Sequence, residues 1–223
     1  MKPTLQRSYF SASFQEYESF SDSHILGELA KNHPHDLNDK QRNAWSYQIH
    51  QLRSLVSQLG EGHLYFEFQI PRMGKRADVV LLYQGVIYIL EYKVGAETYD
   101  SAAIDQTLDY ALDLRNFHST SHSLPIVPIL VCTHAKNSEL EVHWGEDQTS
   151  TPLKCNSNTL AQWLESASLK GFPKIHADEW ERGIYKPTPT IIEAALALYA
   201  GHSVDEISRS DSGAINLSKT SAT

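Results

Sequence analysis

The apolar positions change period along the chain, and each change marks a new element. In "LNDKQRNAWSYQIHQLRSLVSQLGEG" (37–62), Trp45, Ile49, Leu52, Val56 and Leu59 recur at intervals of four, three, four and three, the repeat of one helix face. Asn38 or Asp39 can cap its start, and Gly60 and Gly62 stop it. The period falls to two in "HLYFEFQI" (63–70): Leu64, Phe66, Phe68 and Ile70 alternate with Tyr65, Glu67 and Gln69, which predicts a strand with one face in the core. "RADVVLLY" (76–83) and "VIYILEYKV" (86–94) are largely apolar on both faces and read as central strands, joined by a two-residue turn at Gln84-Gly85. A second helix is expected over 101–118, with Ile104, Leu108, Ala111 and Leu112 toward the core, and "PIVPILVC" (125–132) is another buried strand.

Helix, three strands, helix, strand predicts an α/β fold: a mixed sheet flanked by helices. Residues 1–37, with weak helical periodicity at "SHILGELAKNH" (23–33), read as an extension packed on a core spanning 38–170. Within that core "ELEVHW" (139–144) reads as a strand and "NTLAQWLESA" (158–167) as a helix. The last part, 171–223, reads as a helical segment and linker, with a helix at 190–201 between a Thr190/Glu193 capping box and Gly201.

Composition narrows the function classes. The chain has 223 residues, 41% of them hydrophobic, enough for a packed core. Cys132 and Cys155 are too few for a disulfide framework and read as reduced thiols of a cytoplasmic protein. The start lacks a signal-peptide core, and the longest apolar stretch, 79–90, is interrupted by Gln84 and Gly85, so no membrane association is expected. A formal net charge of −8 argues against a broad basic surface for nucleic acid. It is compatible with a site where carboxylates hold a divalent metal and the metal faces a phosphate.

Such carboxylates occur in the hairpin. Asp78 shares a face with Val80 and Leu82, and Glu91 and Lys93 share theirs with Ile87 and Ile89. A turn at 84 and 85 sets position 78 opposite position 91, with side chains about 4.5–5.5 Å apart at Cβ. Two carboxylates so placed repel unless a proton or a cation lies between them. Either Lys93 neutralises them in a buried ion cluster, or a hard divalent ion binds there and Lys93 reaches its water or a phosphate oxygen. On the next helix Gln106, Tyr110, Asp113 and Phe117 share the side away from the expected core face.

Asp78 followed by Glu91-Tyr92-Lys93 after a hairpin resembles the active-site motif of the PD-(D/E)XK nucleases, with Ala77 where the proline usually stands. The element order is also similar to that superfamily's restriction-endonuclease-like core, αβββαβ. Gln106-x-x-x-Tyr110 resembles the Q-x-x-x-Y element of its RecB-like members. The resemblance implies a nuclease using Mg²⁺ or Mn²⁺, held by Asp78, Glu91 and the backbone carbonyl of Tyr92. It also implies that Lys93 orients or deprotonates the attacking water, that Gln106 organises the site and that Tyr110 lies along the nucleic acid. Arg72, Lys75 and Arg76, in "PRMGKR" (71–76), are then the first choice for phosphate contacts. Glu67 either reaches the metal through water or pairs with Arg76. Many members carry a glutamate on the first helix; 39–59 has none, leaving Gln48, Gln41 or Glu28 as substitutes.

Over residues 24–217 the chain also resembles the N-terminal part of bacterial Schlafen group 3-like DNA/RNA helicase domain proteins. The resemblance rests on "QRNAWSYQI", "YFEFQIPRMGKRADVVLL", "ILEYKVGA", "DYALDLRNFH" and "YKPTPTIIEAALALYAG". In that family a helicase motor follows; here there is no phosphate-binding loop of the form G-x-x-x-x-G-K-[ST]. The chain then reads as a fragment or as a short relative without the motor. The expected partner is DNA, with RNA as the alternative substrate, in DNA processing or defence against foreign DNA. The competing expectation is a catalytically inert nucleic-acid-binding or docking domain that keeps the nuclease fold.

Overall fold

The computed structural model describes residues 7–138, 141–166 and 172–185. Among them six strands form one mixed sheet in sequential order. Strands β1 (Phe10–Ser13), β2 (Gly62–Ile70), β3 (Lys75–Tyr83) and β4 (Val86–Lys93) pair antiparallel. Strands β5 (Ile126–Cys132) and β6 (Leu153–Cys155) continue from β4 in parallel. The change of direction after β4 requires a crossover, and helix α4 (Ser101–Phe117) provides it.

Helices cover both faces of the sheet. Helices α1 (Phe14–Ser19), α2 (Asp22–Asn32), α3 (Asp39–Val56) and α5 (Ser157–Ser166) pack with Phe66, Val79, Leu81, Tyr88 and Leu90 in one apolar cluster. On the other face α4 and the short helix α6 (Ala177–Glu181) pack with Val80, Ile87 and Ile89. Burial on both faces explains why β3 and β4 read as nearly continuous apolar runs. No described helix is long and apolar enough to cross a membrane.

Of the expected ends of α3, Asn38 caps the start, whereas the helix stops at Val56, short of Gly60 and Gly62. The Asn38 side chain accepts a hydrogen bond from Gln41 N at 2.8 Å, and Asp100 accepts from Ala103 N at 3.3 Å. Of the predicted α3 stripe, Trp45, Ile49, Leu52 and Val56 are buried, and Leu59 packs partly buried beyond the helix end. Cys132 and Cys155 are both buried and unbridged.

Several expectations change. The N-terminal segment does more than pack on the sheet: β1 joins it as an edge strand, with Phe10 opposite Phe66. Strand β6 and helix α6 were not expected. Of the strand expected at 139–144, residues 139 and 140 lie outside the described residues, and Trp144 makes only an isolated bridge to Ser150. The helix expected at 190–201 lies outside the described residues.

Helix α4 is rotated from the expected orientation. Ala103, Thr107, Tyr110, Ala111 and Leu114 are buried, whereas Ile104, Leu108 and Leu112 are only partly so. The polar side turns inward because its polar groups find partners there: Gln106 with the β4 acid, Tyr110 with Gln106, and Arg115 with Ser121, His122 and Leu124 carbonyls. Apolar spacing alone does not anticipate a helix whose polar groups are satisfied indoors.

The segment after α6 is clamped to the end of α4. His118 is fully buried; its Nδ1 lies 2.7 Å from Ser121 Oγ, which also accepts from Trp180 Nε1 at 2.9 Å. Burial, reinforced by Arg7, pushes the imidazole down to about 3, so it is neutral and fits its apolar surroundings. A Cβ on Gly183 would stand 2.5 Å from His118 Nε2 and collide with Thr120 Oγ1. Gly183→Ala is therefore expected to destabilise the fold by about 1–3 kcal/mol through overpacking, read as a lower urea midpoint. An unchanged midpoint would mean that this segment is not seated against His118.

Candidate functional site

The β3–β4 hairpin pairs from Tyr83–Val86 at its turn to Val79–Leu90 at its far end. That is the register required for Asp78 to face Glu91. Beyond Leu90, β4 keeps its pairing with β5 through Lys93–Cys132, while its pairing with β3 ends. The Asp78 carboxylate takes over at that point: its Oδ2 accepts from Tyr92 N at 2.8 Å. The N–H and C=O of one extended residue leave on the same side, so the Tyr92 carbonyl also faces the Asp78 side.

Glu91 is the centre of the cluster and is buried. Its Oε1 accepts from Lys93 Nζ at 3.0 Å and from Gln106 Nε2 at 3.0 Å. Gln106 Nε2 also donates to the Tyr110 hydroxyl at 2.6 Å, so one amide group ties α4 to β4. Glu91 Oε2 is buried without a hydrogen-bond partner. Burial pushes the Glu91 carboxyl up against the lowering effect of Lys93. Burial also holds Asp78 well above the usual carboxylate range, and Glu91 and then Glu67 add to the shift. The two acids resist ionising together, and a proton or a cation between them would relieve that repulsion.

The donor set fits a hard divalent ion. It offers carboxylate oxygens from Asp78 and Glu91, an unpartnered Oε2 and a backbone carbonyl nearby. Among the described residues no group of three or more His, Cys, Asp or Glu side chains stands in a metal-holding arrangement. Such a site would therefore be completed by water, as is common for Mg²⁺.

The remaining candidates occupy varied positions. Lys93, about a third exposed, points at Glu91, and exposed Lys75 is close enough to favour the ionised form of Glu91. Arg76 is engaged: its guanidinium lies 4.1 Å from the Tyr9 ring centroid and donates to the carbonyls of Glu67 at 2.6 Å and Arg7 at 3.3 Å. The Arg72 side chain lies outside the described residues. Tyr110 is buried among core residues, so its ring cannot stack on nucleic acid; what it offers the site is its hydroxyl, and burial pushes that up to about 12. Gln48 is buried in α3 with Oε1 unpartnered. Glu28 pairs with Lys31 at 3.3 Å on α2.

Glu67 turns toward α3. Its Oε1 accepts from Trp45 Nε1 at 2.8 Å and from Gln41 Nε2 at 3.3 Å, and burial raises its carboxyl. Sequence reasoning missed Trp45 as a participant and treated it as core alone. The available signal was chemical: a buried indole N–H requires an acceptor, and Glu67 is an acid on the neighbouring strand.

A cleft of about 870 Å³ opens at the turn end of the sheet, lined by Phe14, His63, Tyr83, Gln84, Phe172 and Lys174 among others; no candidate residue above lines it. The distance from Asp78 to Gln84, six residues at about 3.3 Å each, is about 20 Å. Pocket size and charged chemistry therefore lie at opposite ends of the hairpin. No family model matches the sequence, and neither does any curated protein or solved structure.

Proposed function

We propose that this chain is a metal-dependent nuclease that hydrolyses phosphodiester bonds of DNA. The observation that carries the reading is the convergence of Lys93 and Gln106 on Glu91, beside Asp78, whose ionisation Glu91 opposes, with Glu91 Oε2 buried and unpartnered. A buried carboxylate oxygen without a hydrogen-bond partner is uncommon in a purely structural ion cluster and is a natural ligand for a cation. The succession α3–β2–β3–β4–α4–β5 supports the same reading, since it follows the element order of the PD-(D/E)XK nucleases that the motif resembles.

Asp78 and Glu91, with the Tyr92 carbonyl, would hold Mg²⁺ or Mn²⁺. Bound there, the ion would lower the pKa of a coordinated water and offset charge on the scissile phosphate. Lys93 orients the attacking water and stabilises charge that develops on the phosphate. Gln106 fixes the Glu91 carboxylate, and Tyr110 fixes Gln106. Exposed Lys75 is available for a backbone phosphate. The resemblance to helicase-linked proteins points to DNA processing or defence against foreign DNA.

The test is cleavage of circular and linear, single- and double-stranded DNA at low salt with Mg²⁺ or Mn²⁺. Cutting that chelation abolishes is expected, and circular against linear substrates separates internal from terminal attack. DNA that binds but stays intact with every metal would overturn the catalytic reading.

A further inference from the structure

The pairing of β2 with β3 is interrupted at the level of the acid pair. Along β2 and β3 the register runs Gly62–Tyr83 to Phe66–Val79 and resumes at Phe68–Ala77; the pair it calls for between, 67 with 78, is not formed. The alternation of faces fails at the same place on both strands. Phe66 packs on the α3 side, yet Phe68 joins Tyr65 on the α4 side. Val79 packs on the α3 side, yet Ala77 joins Val80 on the α4 side. The expected alternation of Leu64, Phe66, Phe68 and Ile70 is therefore broken in the middle.

Glu67 sits at the break with φ +53°, a left-handed conformation that is uncommon and costly for a residue with a side chain. Such a conformation persists only where surrounding contacts impose it. Here two side chains of α3, Trp45 and Gln41, hold the Glu67 carboxylate. Arg76, two residues before Asp78 on β3, holds the Glu67 carbonyl. Carboxylate and carbonyl are thus pinned in different directions, and a regular strand residue cannot satisfy both.

We infer that Glu67 is a positioning residue for Asp78: its anchored left-handed turn unpairs β2 from β3 at Asp78, leaving that residue free to reach Tyr92 N and to face Glu91. The inference rests on the nuclease reading of the acid pair for its functional meaning, but its structural part stands separately. Glu67 positions Asp78 through its hydrogen bonds to α3; its charge, which adds to the raised Asp78 carboxyl, is a separate influence. Its side chain is aimed at α3, so it supports the acid pair through the backbone.

The test compares Glu67→Gln, Glu67→Ala and Trp45→Phe with the wild type. Glutamine keeps an oxygen that accepts from Trp45; alanine and phenylalanine each remove one end of that bond. Glu67→Ala and Trp45→Phe are expected to lose about tenfold protection of the Tyr92 amide from hydrogen exchange. They should also lose about 10–100-fold in metal-dependent kcat, with both measures near wild type in Glu67→Gln. Wild-type Tyr92 protection in both Glu67→Ala and Trp45→Phe would overturn the inference. A Glu67→Gln variant as impaired as Glu67→Ala would also overturn it, because charge would then be the acting feature. If the wild type binds DNA but cuts none with any metal while the exchange pattern appears as expected, the nuclease reading falls and the positioning role stands.

Discussion

Lys93→Ala is expected to lower metal-dependent DNA cleavage by about 10²–10⁴-fold, the range of a positioned group that acts on the proton and charge of the reacting water. Lys93 ends β4, where it is about a third exposed and 3.0 Å from Glu91 Oε1. Its removal leaves Gln106 still donating to that oxygen, so the carboxylate keeps a partner and the fold should persist. The informative comparison is kcat against KM. Loss confined to kcat places Lys93 at the transition state; a rise in KM alone would reduce it to a phosphate contact. Unchanged kcat and KM would remove it from the site. Circular dichroism and the denaturation midpoint, both near wild type, would show that the loss is chemical.

Asp78→Asn should remove activity and at the same time stabilise the metal-free protein at neutral and alkaline pH. In the folded state burial, Glu91 and Glu67 hold the Asp78 carboxyl well above its usual range. The folded form therefore binds this proton more tightly than the unfolded chain, whose aspartates titrate near about 4. The sign follows: the favourable contribution is complete below the unfolded value and is lost as pH rises through it toward the raised folded one. Asparagine has no such proton, and its amide oxygen still accepts from Tyr92 N. Urea denaturation in EDTA should thus give similar midpoints for variant and wild type near pH 4 and a higher midpoint for the variant at pH 8. Mn²⁺ should reverse the order: at 100 times its dissociation constant, binding adds about 2.7 kcal/mol to the wild type and nothing comparable to the variant. A variant less stable than wild type at pH 8 without metal would show that Asp78 is a paired structural acid.

The elements that lead to this site were legible because each has a simple period. The α3 stripe, the two-residue turn and the two apolar strands are local patterns, and the turn alone fixed which residue faces Glu91. The rotation of α4 was not legible, because Gln106, Tyr110 and Arg115 look like surface residues until their partners on other elements are known. Strand β6 has only three residues, too short for an alternation to register. Glu67 was read as a member of a regular strand because alternation predicts an average, whereas its conformation is imposed by Trp45 from a segment 22 residues away. Arg76 was counted as a free cation because sequence does not reveal that Tyr9 and two carbonyls already hold it.

The two-residue turn at Gln84-Gly85 has a consequence for how this site can change over time. Gln84 and Gly85 both have positive φ, and a Cβ on Gly85 would meet Phe172 and the Pro173 carbonyl. One residue inserted or deleted there would slide β3 along β4 and carry Asp78 to the opposite face. The acid pair has no half-shifted arrangement through which to drift. Descendants of this chain can retune the pair by substitution, but a length change at a turn about 20 Å away would erase it in a single step.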